Sequence, residues 1–432
     1  MKVILMAGGK GTRISQIFSD VPKPMIKIAD KPILQHQIEI LKAQNFHEFI
    51  ITVSHMSNQI INYFGDGDKF GVNIKYFNEL TPLGNAGALL KMKHELEDDD
   101  FLLLNADIMF DVDFKRFTDF HKNNKALVTL FTHPNNHPFD SAILIANDKN
   151  QVLEWLSKED PKPDYYKNRV NAGLHVISPE IFKLLPEFES EKIDLDRQIL
   201  KPLCKTGRIF CYDSPEYVKD MGTPERYKAV CEDFITGKIH ARNLKNKQRA
   251  IFLDRDGTLN KYVGFLRDIK DFELLPDAAE AVKIINASGF LAIVVTNQPV
   301  IARGEVTFEE LNAIHNKFEY LLGKKGAFID KIYYCPHHPD KGFEGERPEL
   351  KFDCECRKPK PGMILKAAED FNIDLNKSYV IGDSKSDIQA GINAGCKTVL
   401  VNNSNDYGQD YMFENLLSFA VKIIKDTNAH AL

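Results

Sequence analysis

The amino-acid sequence predicts an α/β protein of two domains, each built on a mainly parallel sheet. Three observations carry that expectation. The chain has 432 residues, more than one ordinary core accommodates. Short apolar runs alternate with helix-patterned segments, and the alternation starts afresh near residue 250, as it does in α/β folds with parallel strands. Between the two series lies GKIHARNLKNKQR, residues 237–249, which is polar, basic and without apolar periodicity. It reads as a linker. The expected organisation is a first domain over 1–238, a linker at 239–248 and a second domain over 249–432.

In the first series, strands are expected at 3–6, 49–53, 101–104 and 126–131, with helices over 33–44 and 89–96. In the second, strands are expected at 250–253, 292–295, 331–334 and 379–381, with helices over 277–288 and 308–322.

Composition narrows the class. The chain is 43% hydrophobic and 27% charged with a net charge of −5, a globular balance that gives no support to nucleic-acid or membrane-surface binding. No apolar run reaches the roughly 18 residues of a membrane span, and Met1-Lys2 leads straight into a strand-like run. A cytoplasmic protein is expected. The seven cysteines form no even disulfide framework, and three of them cluster with histidines, which points to a metal.

After the first apolar run stands Ala7-Gly8-Gly9-Lys10-Gly11-Thr12-Arg13. Glycines there can turn backbone N–H groups toward phosphate oxygens, and Arg13 is a cation suited to bidentate phosphate contact. Lys23 sits between two stiffening prolines, Pro22 and Pro24. Glu79 opens a second glycine-bearing loop, with Gly84 and Gly87, ahead of a helix. Asn105-Ala106-Asp107 closes the strand 101–104, placing a carboxylate where open α/β sheets bind ligands. Asp220 stands in a late loop, DMGTPER.

The ordered set GG-x-GTR, PKP, E-x-x-PLG-x-AGA, N-x-D, NAG and D-x-GTPE resembles the sugar-1-phosphate nucleotidyltransferases over most of residues 1–235. The resemblance implies a Rossmann-like nucleotidyltransferase domain. In it Gly8, Gly9, Gly11, Thr12 and Gly84 hold a nucleoside triphosphate, and Arg13 and Lys23 act on its phosphates. It further implies Mg²⁺ on Asp107 and Asp220, and sugar-phosphate contacts from Glu79, Lys158, Asn171 and Gly173. Ser157, Asn85 and Ala106 depart from the family's usual glutamate, threonine and glycine.

In the second half, Asp254-Arg255-Asp256-Gly257-Thr258 follows an apolar strand. Two carboxylates two residues apart on extended backbone share a side, so one can serve as nucleophile and the other as general acid and base. Thr296-Asn297, Lys358-Pro359 and Gly382-Asp383-x-x-x-Asp387 follow in order, the last ending a strand in carboxylates. This set resembles the haloacid-dehalogenase phosphatases over 249 to about 405. By that resemblance Asp254 attacks phosphorus, Asp256 moves the proton, and Mg²⁺ rests on Asp254, Asp383 and the Asp256 backbone carbonyl. Thr296 and Lys358 would hold the phosphoryl oxygens.

Cys335-Pro336-His337 and Cys354-Glu355-Cys356 supply four ligands for a closed, structural Zn²⁺ site. The set is Cys335, His337, Cys354 and Cys356, with His338 competing for the histidine place. The zinc loop together with TNQ, IARG and CRKPKPGM resembles the D-glycero-D-manno-heptose 1,7-bisphosphate phosphatases, with the histidinol-phosphate phosphatases as relatives. Asn297, Arg303 and Arg357 then become candidates for substrate phosphate contacts. Pro299-Val300 stands where Ser-Gly is common.

Together the resemblances imply a bifunctional enzyme of nucleotide-activated heptose synthesis. Its second half would leave a heptose 1-phosphate, and its first half would couple that to a nucleotide, with GTP favoured, toward surface polysaccharide. Alternatives are a guanylyltransferase for another sugar such as mannose, a histidinol-phosphate phosphatase, or one half acting only as a sugar-nucleotide-sensing module. Small-molecule partners and a homo-oligomer through the first domain are implied by resemblance alone.

Overall fold

The computed structural model describes residues 1–8, 14, 17–81, 83–188 and 190–429, with side chains through residue 422. Contacts divide the chain into two units. The first comprises 1–133, 144–159 and 170–243; the second comprises 244–432 with the segments 134–143 and 160–169. Both are α/β, as expected.

The first unit begins with β1 (Val3–Met6), α1 (Ile33–Lys42), β2 (Glu48–Val53), α2 (Ser57–Phe64) and β3 (Asn73–Asn78). Then come α3 (Gly84–Lys91), β4 (Phe101–Asn105), β5 (Ile108–Asp111), α4 (Phe114–Asn123) and β6 (Val128–His133). Strands β7 (Ile143–Ala146), β8 (Val152–Leu156), β9 (Val170–Ile177), β10 (Ile209–Asp213) and β11 (Tyr217–Asp220) precede α5 (Pro224–Ile235).

The sheet runs β8-β7-β9-β4-β1-β2-β3, with β6 joined to β9 and β10 to β6. Strand β1 pairs in parallel with both β2 and β4, while β9 runs antiparallel to β4. Leu5, Ile51, Leu102, Leu104, Phe110 and Phe117 are among the residues of its core. Strand β9 slips register against β6 between Asn171 and His175. Gly173 sits in the slip at φ +76°, and a Cβ there would come within 2.5 Å of Asn105 Nδ2.

One expected helix moves. The segment 89–96 is α-helical only to Lys91, with a 3-10 turn at Lys93–Glu95, and the α-helix begins at Gly84. Gly87 does not break it: a Cβ there would lie 2.3 Å from the Glu191 carbonyl oxygen, so this glycine permits close backbone packing. The polar stretch after residue 237 is folded as well. Lys238–Ala241 is a helical turn, and Arg242, Asn243, Leu244 and Gln248 are buried.

In the second unit the order is β12 (Ala250–Leu253), α6 (Ala278–Ala287), β13 (Leu291–Asn297), α7 (Phe308–Gly323) and β14 (Lys331–Cys335). It continues through α8 (Gly362–Phe371), β15 (Tyr379–Gly382), α9 (Lys385–Ala394), β16 (Lys397–Val401), β17 (Tyr411–Phe413) and α10 (Leu416–Ala429). All neighbours in the sheet β14-β13-β12-β15-β16-β17 are parallel. Ile251 and Leu253 enter one apolar cluster and Ala250 and Phe252 another. The strand is therefore covered on both faces, which explains why it reads as a continuous apolar run. Strand order reverses at β12, where ligands bind at the carboxyl ends of such sheets. Among the described residues no helix is long and apolar enough to cross a membrane.

His175 on β9 is 3% exposed, and burial pushes its pKa down to about 4. The unfolded imidazole, near its ordinary 6.5, takes up a proton that the folded one refuses. Stability from this group is therefore lost as pH falls from about 6.5 toward 4. Urea unfolding across that window should give a flatter pH dependence for His175→Gln than for wild type; equal slopes would show that His175 does not contribute.

Candidate active sites and metal centre

The second site forms where β12, β13 and β15 end. Asp254 follows β12, Thr296 and Asn297 close β13, and Asp383 follows β15. They line one cavity of about 240 Å³ with Asp256, Phe265, Gln298, Arg357, Lys358 and Asp387. Lys358 Nζ donates to Asp254 Oδ1 at 2.6 Å and to the Val295 carbonyl at 2.8 Å, and pairs with Asp387 Oδ1 at 2.5 Å. Burial pulls the Lys358 pKa down, but the Asp254 and Asp387 carboxylates outweigh it and raise it. Burial, with the Asp387 and Asp256 carboxylates adding to it, pushes Asp254 up to about 8 although the Lys358 ammonium opposes the shift.

Asp256 is held apart from this pair. Arg255, fully buried, donates through Nη2 to Asp256 Oδ2 at 2.8 Å and Oδ1 at 3.1 Å, while its Nη1 meets His315 Nε2 at 3.1 Å. Asn260 Nδ2 at 3.0 Å and Gln298 Nε2 at 2.8 Å complete the set. Burial would raise the Asp256 carboxyl, but Arg255 and these donors hold it below the usual range.

Asp254, Asp383 and Asp387 each bring an oxygen within 4.8 Å of the others. This is a hard-oxygen donor set of the kind Mg²⁺ takes. Three carboxylates face one ammonium, and burial together with Asp387 pushes Asp383 up to about 6. That surplus of negative charge fits a divalent cation. Gly257, at φ +89°, makes room: a Cβ there would lie 2.0 Å from Asp383 Oδ2. The Asp256 carboxylate is not in this group; the resemblance invokes its backbone carbonyl.

Cys335, His337, Cys354 and Cys356 bring their donor atoms within 4.8 Å of one another. The Cys354–Cys356 sulfurs are 3.2 Å apart, Cys335–Cys354 3.4 Å, and His337 Nδ1 lies 3.3 Å from Cys356 Sγ. The three cysteines are free thiols, and three sulfurs with one imidazole nitrogen converging on one point fit tetrahedral Zn²⁺. The competing His338 turns away, with Nδ1 accepting from the Asp340 N–H and Nε2 facing Arg303.

In the first unit Gly9, Gly11, Thr12 and Arg13 lie outside the described residues. Among the described residues, Lys23 Nζ pairs with Asp107. Asp220 accepts from Arg226 Nη1 at 2.7 and 2.9 Å and from the Gly222 N–H at 2.9 Å. Burial would raise Asp220, but Arg226, Gly222 and Lys23 hold it low. The Met221 N–H donates to the Asp107 carbonyl, so the two carboxylates stand on adjacent backbone. Glu79 accepts from the Leu83 N–H at 3.2 Å and presses against Gly8, where a Cβ would lie 2.6 Å from Glu79 Oε1. Gly84 (φ +74°) packs on the Ile193 carbonyl. The Asn171 side chain is engaged by the Gly173 N–H and His175, and Lys158 is exposed after β8.

With both geometries in view, relatives decide the families. The sequence pattern described as nucleotidyl transferase matches residues 2–236, and that described as HAD-hydrolase-like matches 355–414. The D-glycero-beta-D-manno-heptose-1,7-bisphosphate 7-phosphatase of Pasteurella multocida is 40% identical over 186 residues, covering 41% of this chain and 97% of that protein. The protein of the same name from Escherichia coli K12 is 40% identical over 153 residues, covering 35% of this chain and 78% of its own. The chain belongs to the nucleotidyl transferase family through its first half and to these phosphatases through its second. Among solved structures, HddC from Yersinia pseudotuberculosis aligns over 54% of this chain and 99% of its own, at 24% identity and TM-score 0.47.

For the phosphatase half, sequence reasoning assigned no role to four residues, although Asp387 and Gln298 stand within its motifs. Asp387 joins the acidic group, and Gln298, Asn260 and Arg255 fix Asp256. Asp387 had a local signal, since Ser384-x-x-Asp387 is a capping box on α9. Two expected contacts are differently engaged. Asn297 spends both ends of its amide on the Lys358 backbone, at 3.1 and 3.0 Å. Arg303 lies outside the cavity lining, behind Phe265.

Elemental analysis of purified protein should find about one zinc per chain. Cys354→Ser should lose it and lower the unfolding temperature, because a structural site contributes its binding energy to folding. Retention of zinc by that variant would overturn the four-ligand assignment.

Proposed function

We propose that the protein is a bifunctional enzyme of nucleotide-activated heptose synthesis. Residues 249–432 remove the 7-phosphate of heptose 1,7-bisphosphate, and residues 1–238 couple the resulting heptose 1-phosphate to a nucleotide, with GTP as donor. The observation that carries the phosphatase reading is the buried Asp254–Lys358–Asp387 arrangement beside a separately held Asp256. The relatives' specificity for heptose bisphosphates supplies the substrate. The first half's family and its motif order support nucleotidyl transfer, and the resemblance to heptose 1-phosphate guanylyltransferases supports GTP. Substrates of this kind, a nucleoside triphosphate and sugar phosphates, support a cytoplasmic reaction.

In the phosphatase, an Asp254 oxygen attacks the 7-phosphorus and the bond to the sugar oxygen breaks. Asp256 gives the departing oxygen a proton. Water then attacks the aspartyl phosphate, Asp256 takes its proton, and inorganic phosphate leaves. Lys358 and Thr296 hold the phosphoryl oxygens. Magnesium held by Asp254, Asp383 and Asp387 would offset charge on the phosphoryl group. Asp256 is ionised as it stands, which suits the second step. For the first it has to carry a proton, so the entering substrate has to loosen part of its donor set from Arg255, Asn260 and Gln298.

In the first half the sugar 1-phosphate is itself the nucleophile, attacking the α-phosphorus as pyrophosphate leaves. The protein therefore contributes positioning and charge. Arg13 and Lys23 neutralise the triphosphate, Asp107 and Asp220 would hold Mg²⁺, and Glu79, Asn171 and Gly173 border the sugar.

Given heptose 1,7-bisphosphate, Mg²⁺ and each nucleoside triphosphate in turn, wild type should release phosphate and then, with GTP, pyrophosphate. Asp254→Asn should lower phosphate release by about three orders of magnitude while leaving pyrophosphate release from supplied heptose 1-phosphate intact. Phosphate release with no pyrophosphate from any nucleotide would sink the coupled reading.

A further inference from the structure

Arg255 is the charged member of the set that holds Asp256, yet it grips its own neighbour in the chain, through Nε at 3.3 Å and Nη2 at 2.8 and 3.1 Å. A pair of adjacent residues can turn together, so the direction of the guanidinium has to be set from elsewhere. Among the described hydrogen bonds its one partner beyond Asp256 is His315, whose Nε2 lies 3.1 Å from Nη1. One edge of the planar fork is thus spent on Asp256 and the far corner on His315.

His315 is well placed for that task. It stands on α7, which a capping box at Thr307 and Glu310 starts and Ile314 and Phe318 anchor in the core. Its ring packs on that of Tyr334 of β14, centres 5.6 Å apart. One turn on, the Glu319 carboxylate accepts from the Asn168 N–H at 2.9 Å, which fixes the helix from its other side. A guanidinium has only donors, so Nε2 accepts and the ring proton is on Nδ1. Burial, and after it the Arg255 charge, pull the imidazole pKa down to about 3. A neutral acceptor satisfies the buried Nη1 without drawing charge from the fork, which stays with Asp256. A carboxylate in the same place would compete for it.

We propose that His315 is a positioning residue for the phosphatase reaction: through the Arg255 fork it sets where the Asp256 carboxyl meets the departing sugar oxygen. This role rests on the second half being a phosphatase that works through Asp254 and Asp256. As the bond from phosphorus to the leaving oxygen breaks, the proton passes from Asp256 to that oxygen; His315 neither gives nor takes it. A sugar alkoxide is a poor leaving group and needs the proton, whereas p-nitrophenolate departs without it.

The test measures kcat/KM, which covers the steps up to phosphoryl transfer, on heptose 1,7-bisphosphate and on p-nitrophenyl phosphate, with the full chain and Mg²⁺. His315→Leu should lower the bisphosphate value about thirtyfold and the p-nitrophenyl value less than about twofold. His315→Gln keeps an uncharged acceptor and should restore most of the loss. His315→Glu should be impaired like His315→Leu, and it carries the comparison should the leucine variant fail to fold. Equal losses on both substrates, a glutamine variant as impaired as the leucine one, or an unchanged bisphosphate value in a folded His315→Leu would overturn the positioning role. Wild type that cleaves p-nitrophenyl phosphate but not the bisphosphate would sink the heptose reading alone, and the same comparison then decides the role of His315 on the sugar phosphate it does cleave. Wild type inert toward both would sink the phosphatase reading and this role with it.

Discussion

The ammonium of Lys358 is the charge on which the second site depends. It stands between Asp254 and Asp387, in a place where three carboxylates crowd together away from water. Burial, with Asp387 and Asp256, pushes the Asp254 carboxyl up to about 8 even against that cation, so on the proposed reading the ammonium is the group that keeps the nucleophile's carboxylate form within reach. The surrounding structure secures the lysine from two directions. Asn297 clamps its backbone, and the Val295 carbonyl accepts from its ammonium. Both belong to β13, the neighbour of the strand that carries Asp254. The apolar cores on the two faces of that sheet thus set the distances on which the ion pairs rest.

The first half meets the same constraint with shorter commitments. Asp107 is paired with Lys23 and Asp220 with Arg226, and all four side chains keep some exposure. Partly solvated pairs are weak, so these can be exchanged for other partners at modest cost. That suits a site whose reacting groups all arrive with the substrates. The phosphatase needs a protein nucleophile in a fixed charge environment, whereas the nucleotidyltransferase needs cations and carboxylates that can be re-partnered.

What the sequence made legible was local. Asp254, Thr296 and Asp383 each follow an apolar run, and the ends of parallel strands converge, so motif order translated directly into a site. The Cys335-x-His337 and Cys354-x-Cys356 pairs were legible for the same reason: two residues apart on extended chain face one way. Contacts made across the fold were not legible. Arg255 lies between the two aspartates, and alternation directs it away from Asp254; only the folded chain reveals that its fork closes on Asp256 with His315 of α7 behind it. Asn297 looked like a phosphate contact because it adjoins Thr296, yet both ends of its amide were needed 61 residues away. In the sequence Gly87 reads as part of a loop ahead of the helix, and the contact that explains it within the helix, the Glu191 carbonyl, lies about a hundred residues on.

On the proposed reading the chain faces a selectivity problem that a lone phosphatase does not. Its substrate carries two phosphates, and cleavage of the anomeric one would destroy the nucleophile that the first half requires. Both phosphates are anions of similar size, so charge at the reacting centre cannot distinguish them. The distinction has to come from holding the other end of the sugar at a distance from Asp254. Arg357 follows directly after the last cysteine of the Cys/His loop and lines the Asp254 cavity, so this loop presents a cation at the cavity wall.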